Sequence, residues 1–355
     1  MAIIAILVAI FLLIVLVGWL KTNPFLGFLI AAIVAACLSG VPPQTIPSVL
    51  EAGIGSMLGS LAIILCVGAM FGKLVSETGA AQQISRTLIA AFGEKHITWA
   101  LMITGFIVGI PLYYNVGFVL LVPLIFSVMH QTKLPAVYLG IPLLAGLSTT
   151  HGFLPPHPAP IALIPQFGAS IGMTLLYGLM IAIPTVIVAG PMLANRLKHI
   201  SSKPIKTFCA QPLPEDQLPS PFNSFFCALL PVLLIAAASL LPVVAPDIAK
   251  NSWVLFISNP SIVLLLGLLV ATYSLGIARG LSIEKIMQFF TDGLKDISII
   301  VLIIAGAGAL KQVFVTSGVS NELGAMLQQI PLNPLILAWL IATVIRIALG
   351  SATVA

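Results

Sequence analysis

The sequence predicts an all-α, polytopic membrane fold built as an inverted repeat, with re-entrant hairpins, broken helices and an incomplete second repeat. Three observations predict it: composition, self-similarity at a shift of 240 residues, and a reversal of loop charge between the copies. Apolar residues make up 59% of the 355 and charged residues only 7%, with a mean hydropathy of +1.16. A soluble domain carries about 25% charged residues, so this chain requires lipid. The net charge of +5 does not point to nucleic acid, because basic residues in a membrane protein mainly mark the loops facing the cytoplasm.

The repeat is visible by eye. Leu26-Gly27-Phe28-Leu29-Ile30-Ala31 aligns with Leu266-Gly267-Leu268-Leu269-Val270-Ala271. The register holds without a gap through Gly40/Gly280, Ile46/Ile286, Gly53/Gly293 and Ile63-Ile64/Ile303-Ile304 to Gly68-Ala69/Gly308-Ala309. One deletion later Thr78-Gly79 meets Ser317-Gly318 at a shift of 239. The spaced glycines carry the inference, since each marks a backbone requirement rather than an apolar position. Loop charge then sets the relative orientation. Connection 41–52 has no Lys or Arg, whereas its partner 279–295 has Arg279, Lys285 and Lys295. Connection 77–96 has Arg86 and Lys95, whereas its partner 317–333 has none. By the positive-inside rule the copies lie antiparallel. Inverted repeats of this kind are a common build of secondary transporters, with the site at the midplane.

Placing the N-terminus outside makes every loop consistent. The first repeat, 1–195, opens with helices over 2–20, 24–40 and 53–76. Ala2–Leu20 is 19 uncharged residues, enough to cross the hydrocarbon core, and it lacks the basic start and small-residue cleavage site of a signal peptide. Residues 97–129 form two apolar arms around Gly109-Ile110-Pro111-Leu112-Tyr113-Tyr114-Asn115-Val116-Gly117, read as a re-entrant hairpin. A broken helix over 135–168 crosses outward and a helix over 171–195 returns. The loop 196–221 carries Arg196, Lys198, Lys203, Lys206 and five prolines, and reads as the cytoplasmic link between repeats. The second repeat, 222–355, has helices over 222–245, 253–278 and 297–316, and is truncated within its hairpin, which starts at 334 and whose tip is Leu349-Gly350-Ser351-Ala352-Thr353-Val354. Symmetry predicts an intact protein of roughly 440 residues, so this chain reads as a fragment or truncated product. The four cysteines (Cys37, Cys66, Cys209, Cys227) are scattered, without metal-ligand spacing.

The break in 135–168 is the most informative motif: Ser148-Thr149-Thr150-His151-Gly152-Phe153-Leu154-Pro155-Pro156-His157-Pro158-Ala159-Pro160. Prolines cannot continue a helix, since each lacks an N–H and clashes with the preceding turn. Non-helical backbone at membrane depth is tolerated only where protein buries it or where it lines a wet cavity. Hydroxyls, freed backbone dipoles and two imidazoles therefore converge where lipid would penalise them.

His151 and His157 are the leading candidates for substrate binding and proton coupling, because imidazole titrates near physiological pH; they can equally cap carbonyls freed by the prolines. Thr149 and Thr150, with Ser148, are candidates for substrate hydroxyls or for those same carbonyls. Asn115 and Tyr114, with Tyr113, sit at the first hairpin tip, where an amide both donates and accepts. Ser351 and Thr353 occupy the mirrored tip. Hairpin tips also present helix N-termini, whose partial positive charge suits a carboxylate. Arg346 is a possible carboxylate partner by bidentate pairing, against a structural ion pair or snorkelling. Lys73 reads as a cytoplasmic anchor, Asp292 and Asp296 as acidic residues at the start of a helix.

With those motifs in view, the chain resembles the gluconate:proton symporters (gluconate permeases) of bacteria over its whole length. The resemblance rests on Gly152–Pro160, Gly109–Gly117 and Gly-Ser-Ala-Thr-Val-Ala at 350–355. It implies proton-driven uptake of gluconate or a related small acid across the inner membrane, with permeases for other sugar acids and D-serine in the same family. It also implies a homodimer of elevator type, and no cofactor beyond the proton as coupling ion. An intramembrane hydrolase is disfavoured: there is no HExxH, and Ser148 near His151 matches no hydrolase pattern. A passive channel and a sodium-coupled carrier stay open, because broken-helix carbonyls also hold Na⁺.

Overall fold

The computed structural model describes residues 2–200, 213–319, 322 and 333–349, and every regular element among them is helical. In chain order α1 (Ala2–Leu13) runs through a π-turn to Trp19, followed by α2 (Pro24–Leu38), α3 (Ile46–Glu77), α4 (Ala80–Phe92), α5 (Ile97–Gly109) and α6 (Tyr114–Thr132). Then come α7 (Ala136–Phe153), α8 (Pro158–Leu163), α9 (Ile171–Ile187), α10 (Leu193–Arg196), α11 (Pro221–Val244), α12 (Pro246–Ala249) and α13 (Ser252–Ile257). The last are α14 (Pro260–Ala271), extended to Arg279 by π and 3₁₀ turns, α15 (Ile283–Thr316) and α16 (Pro334–Leu349). Among the described residues five helices are long and apolar enough to cross a bilayer, or six if Pro43–Gly59 and Leu61–Glu77 count as one span.

Local sequence explains the starts. Asn-Pro opens α2, α14 and α16: the proline supplies a preset φ at the first helical position, and the asparagine side chain accepts the N–H two residues on. Asn23 accepts from Phe25 N at 3.0 Å, Asn259 from Ser261 N at 3.0 Å and Asn333 from Leu335 N at 2.9 Å. Pro260 also explains why the helix expected over 253–278 is divided.

Three expected connections are wholly or partly helical, and the first, 41–52, already belongs to α3 from Ile46. Segment 77–96 holds α4, whose inner face (Ala80, Ala81, Ile84) is buried while Arg86 and Ala90 are exposed. The charges there suggested a loop, but the apolar residues recur at helical spacing, and that pattern decides. Segment 279–295 is helical from Ile283, so Asp292 and Asp296 lie well inside α15 rather than at its start.

The repeat is written in the backbone as well. Gly40 and Gly280, at the shift of 240, both take left-handed φ (74° and 83°), as do Gly79 and Gly318 at the shift of 239 (79° and 75°). A side chain there would be strained, so both copies keep glycine.

The chain forms two compact units, 1–62 with 297–355, and 63–296. These are contact units and do not follow the division at 195 and 222. In the first, α2 packs on α1 through Gly27, where a Cβ would come 2.9 Å from Val17, and Ala31, Ala32, Ala35 and Ala36 are all buried. Phe28 fills the space left by Gly306 on α15. In the second unit α5 and α7 approach through small residues. Gly105 faces the Leu143 carbonyl and Gly109 faces Thr150, while a Cβ on Gly146 would come 2.5 Å from the Met102 carbonyl. Each helix thus carries a small-xxx-small stripe, the device that lets membrane helices touch backbone to backbone. Farther along α7, Gly178 of α9 lies against the Phe153 carbonyl.

Candidate functional site

The close approach of α5 to α7 puts the end of one helix against the break in the other. α5 stops at Gly109, and residues 110–113 form a non-helical tip before α6 starts at Tyr114. The backbone of α7 leaves the helix after Phe153, runs through Leu154, Pro155 and Pro156, and re-enters at Pro158 with His157 in the capping position. The break is satisfied locally, since Leu154 N donates to Thr150 O at 3.0 Å and His157 N to Leu154 O at 3.1 Å.

The two imidazoles meet here. His157 is 4% exposed, and its Nε2 lies 2.8 Å from the carbonyl oxygen of Gly109. Its Nδ1 lies 3.3 Å from Nδ1 of the half-buried His151. Tyr113 stands edge-on to both rings, 6.1 Å from His157 and 6.5 Å from His151. Tyr114 tilts against His151 at 6.3 Å and stacks on Phe118. The Tyr113 hydroxyl donates to Leu65 O on α3 at 3.0 Å, above the bare surface of Gly68. Gly72, one turn on, receives the Pro111 carbonyl, where a Cβ would come within 2.5 Å. The tip is thereby seated on the Gly68/Gly72 face of α3.

Of the residues singled out from sequence, His151, His157, Tyr113 and Tyr114 come together. Thr150 is fully buried and its hydroxyl donates within its own helix, to Gly146 O at 3.1 Å and Leu147 O at 2.9 Å. Thr149 is buried on α7. Asn115 lies in the first turn of α6, with its side chain outside the described residues, as is that of Arg346 on α16. Ser351 and Thr353 lie outside the described residues altogether.

Two features escaped sequence reasoning. Tyr113 contacts both histidines and α3, which only its neighbours in space reveal. Lys73 is not simply a terminal anchor: its Nζ pairs with Asp296 at 3.2 Å and with Glu77 at 3.4 Å. Spacing predicts the i,i+4 pair with Glu77; the pairing with a residue 223 positions away is tertiary.

Apolar helices of spanning length, small-residue contacts and a polar break within one span define a polytopic membrane protein. The same fold is seen in the Alcanivorax borkumensis YdaH transporter, with a TM-score of 0.62 over 94% of this chain and 80% of that one, at 12% identity. The profile of the GntP family permease matches residues 1–355, and the chain belongs to that family. It is 44% identical to the Gnt-II system L-idonate transporter of Escherichia coli K12, over 97% of this chain and 79% of that protein. It is 42% identical to a high-affinity gluconate transporter of the same organism, over 100% of this chain and 82% of that protein. As a permease of this family it is a multi-pass protein of the bacterial inner membrane and not an enzyme.

Proposed function

We propose that this chain carries gluconate or a related sugar acid into the cell, with the proton as coupling ion, and that His151, His157, Tyr114 and the 109–117 tip form part of its substrate site. The observation that carries this reading is the imidazole pair at a helix break, in a chain closely related to gluconate and L-idonate transporters. Intramembrane ionisable groups that face protein rather than lipid usually mark a transport pathway. The N-terminus of α6, beside Tyr114 and His151, offers N–H groups suited to a carboxylate, and the imidazoles and tyrosines offer partners for hydroxyls. A homodimer is part of the same proposal and is checked by cross-linking in native membranes.

The test is accumulation of labelled gluconate in vesicles under an imposed proton gradient, with L-idonate, other sugar acids and D-serine as competitors. Uptake that collapses with an uncoupler and ignores sodium supports the proposal. Strict sodium dependence overturns the proton assignment, and equilibration without accumulation would make the protein a passive carrier.

A further inference from the structure

Several cations of the chain have carboxylate partners: Lys73 meets Asp296 and Glu77, Arg86 meets Glu215, and Lys295 meets Asp292. Lys133, Arg196 and Lys198 have none. Among the described residues, which include all ten acidic side chains, no carboxylate forms an ion pair with any of the three.

The fold nevertheless gathers them around the first turn of α7. Lys133 caps α6, with only Leu134 between it and Pro135, the cap of α7. Lys198 lies over the ring of Tyr138 in that first turn, its Nζ 5.4 Å from the ring centroid. Arg196 ends α10, which packs against α7, and the chain reaches it from Gly190, seated against Pro142 and Ala145. All three cations are exposed. Lys133 is kept at a backbone cost, because it caps its helix at φ 59°, in the left-handed region where glycine is cheaper. The start of α5 lies at the same end, since α5 and α7 run side by side in one direction, Gly105 at Leu143 and Gly109 at Thr150. It adds Lys95 beside one acid, Glu94, so the face stays basic.

Below the cations the surface is apolar. Met180, Ile181, Val188, Met192 and Leu193 are exposed along Ile171–Arg196, a run long and apolar enough to span the bilayer. Acyl chains cover such a face, and the basic end is the cytoplasmic one by the positive-inside rule.

We infer that Lys133, Arg196 and Lys198 hold the headgroup of an anionic phospholipid of the cytoplasmic leaflet, with its acyl chains along the outward face of α9. The occupant is amphiphilic because the site is: cations at the water boundary and an apolar flank within the bilayer. It is a phosphodiester without an ammonium group, since a zwitterionic headgroup would add a fourth cation to three unpaired ones. Each basic residue beside an anionic leaflet strengthens the association about fivefold. The lipid site is independent of the substrate carried.

The test uses the full chain in neutral detergent with phosphatidylglycerol or phosphatidylcholine titrated in, read by lipid retained on the intact protein in native mass spectrometry and by thermal unfolding. Wild type should retain phosphatidylglycerol in preference to phosphatidylcholine, and added salt should weaken that preference. K133Q, R196Q and K198Q should each lower phosphatidylglycerol affinity about fivefold while leaving phosphatidylcholine retention and unfolding in neutral lipid unchanged. R86Q removes a cation that is already paired and should retain phosphatidylglycerol as wild type does. Equal retention of the two lipids, insensitivity to salt or to the three substitutions, or R86Q as costly as K198Q overturns the assignment. Inorganic phosphate that displaces the lipid at millimolar concentration overturns it too, since that marks a soluble-anion site. Should a variant fail to fold, the salt titration and the phosphate competition on wild type decide.

Discussion

Gly308 stands backbone to backbone with Gly53, so close that a Cβ on it would come 2.6 Å from the Gly53 carbonyl oxygen. In the other unit Gly293 meets Ala69 in the same way, at 2.8 Å. Gly293 is the repeat mate of Gly53, and Ala69 follows Gly68, the mate of Gly308. Each contact lies within its own unit and joins positions that match in the repeat. This match explains why the glycines, rather than the apolar residues between them, keep the repeat legible.

Substitution of Gly308 by Val should therefore destabilise the protein by about 1–3 kcal/mol, since rigid backbone cannot yield to the added carbons. Gly55 on α3 has open space around its Cβ position, and Gly55→Ala should be neutral or slightly stabilising. Thermal unfolding in detergent compares them. Equal behaviour of the two variants would show that the contact is looser than the 2.6 Å approach implies.

Tyr113 links the imidazoles to α3 by two separable means, its ring and its hydroxyl. Tyr113→Phe removes only the bond to Leu65 O and should cost about 1 kcal/mol in stability, with modest loss of uptake. Tyr113→Ala removes the ring that faces both histidines and should lower affinity for substrate much further. Measured KM and Vmax for the two variants separate the roles; Phe as harmful as Ala would place the function in the hydroxyl.

The start of the segment leading into α11 gives a contrast between neutral and charged contacts. Gln82 brackets Leu213, donating to its carbonyl at 2.9 Å and accepting its N–H at 3.0 Å, while Arg86 pairs with Glu215 at 2.6 Å. The ion pair is shorter, yet its side chains are 50% and 74% exposed, so water and salt screen it. Gln82→Ala should cost about 1–2 kcal/mol by leaving two backbone groups unbonded, whereas Arg86→Ala should change stability by less than about 0.5 kcal/mol. Limited proteolysis near Leu213 and a melting curve at two salt concentrations check this. A larger effect from Arg86 would reverse the ranking.

How much of this was legible depended on whether a feature is local. Composition and the glycine register carried the membrane class and the repeat, because lipid and left-handed turns constrain single residues. The proline–histidine break was legible for the same reason, since Pro155 and Pro156 cannot continue the helix that precedes them and Pro158 suits only the start of a new one. The α4 helix was missed because Arg86 drew attention to charge, while its evidence lay in the spacing of Ala80, Ala81 and Ile84. For Thr150 the sequence left a substrate contact and a bond to its own backbone open, and in the structure its hydroxyl donates to backbone carbonyls of its own helix. Nothing in the sequence brings Gly109 to His157, or Tyr113 to Leu65. Those pairings follow from the small-residue contacts of α5 and α7 and from the seat of the tip on α3.

Lys73 and Asp296 offer the last prediction, because each was readable alone and neither predicted the other. Lys73 is 20% exposed at its side chain and Asp296 40%, so the pair is partly shielded from water without being fully buried. Removing one partner leaves a charge with less solvation than it would have outside the fold, which costs more than the pair itself contributes. Glu77 softens the loss on one side only: it stays near Lys73 when Asp296 is neutralised, at 3.4 Å, but cannot compensate Asp296 when Lys73 is removed. Lys73→Met should therefore destabilise by about 1–3 kcal/mol, Asp296→Asn by less, and the double variant should recover part of the Lys73→Met loss. A double-mutant cycle on thermal stability measures the coupling. Strictly additive effects would show that the ion pair contributes nothing beyond its separate residues.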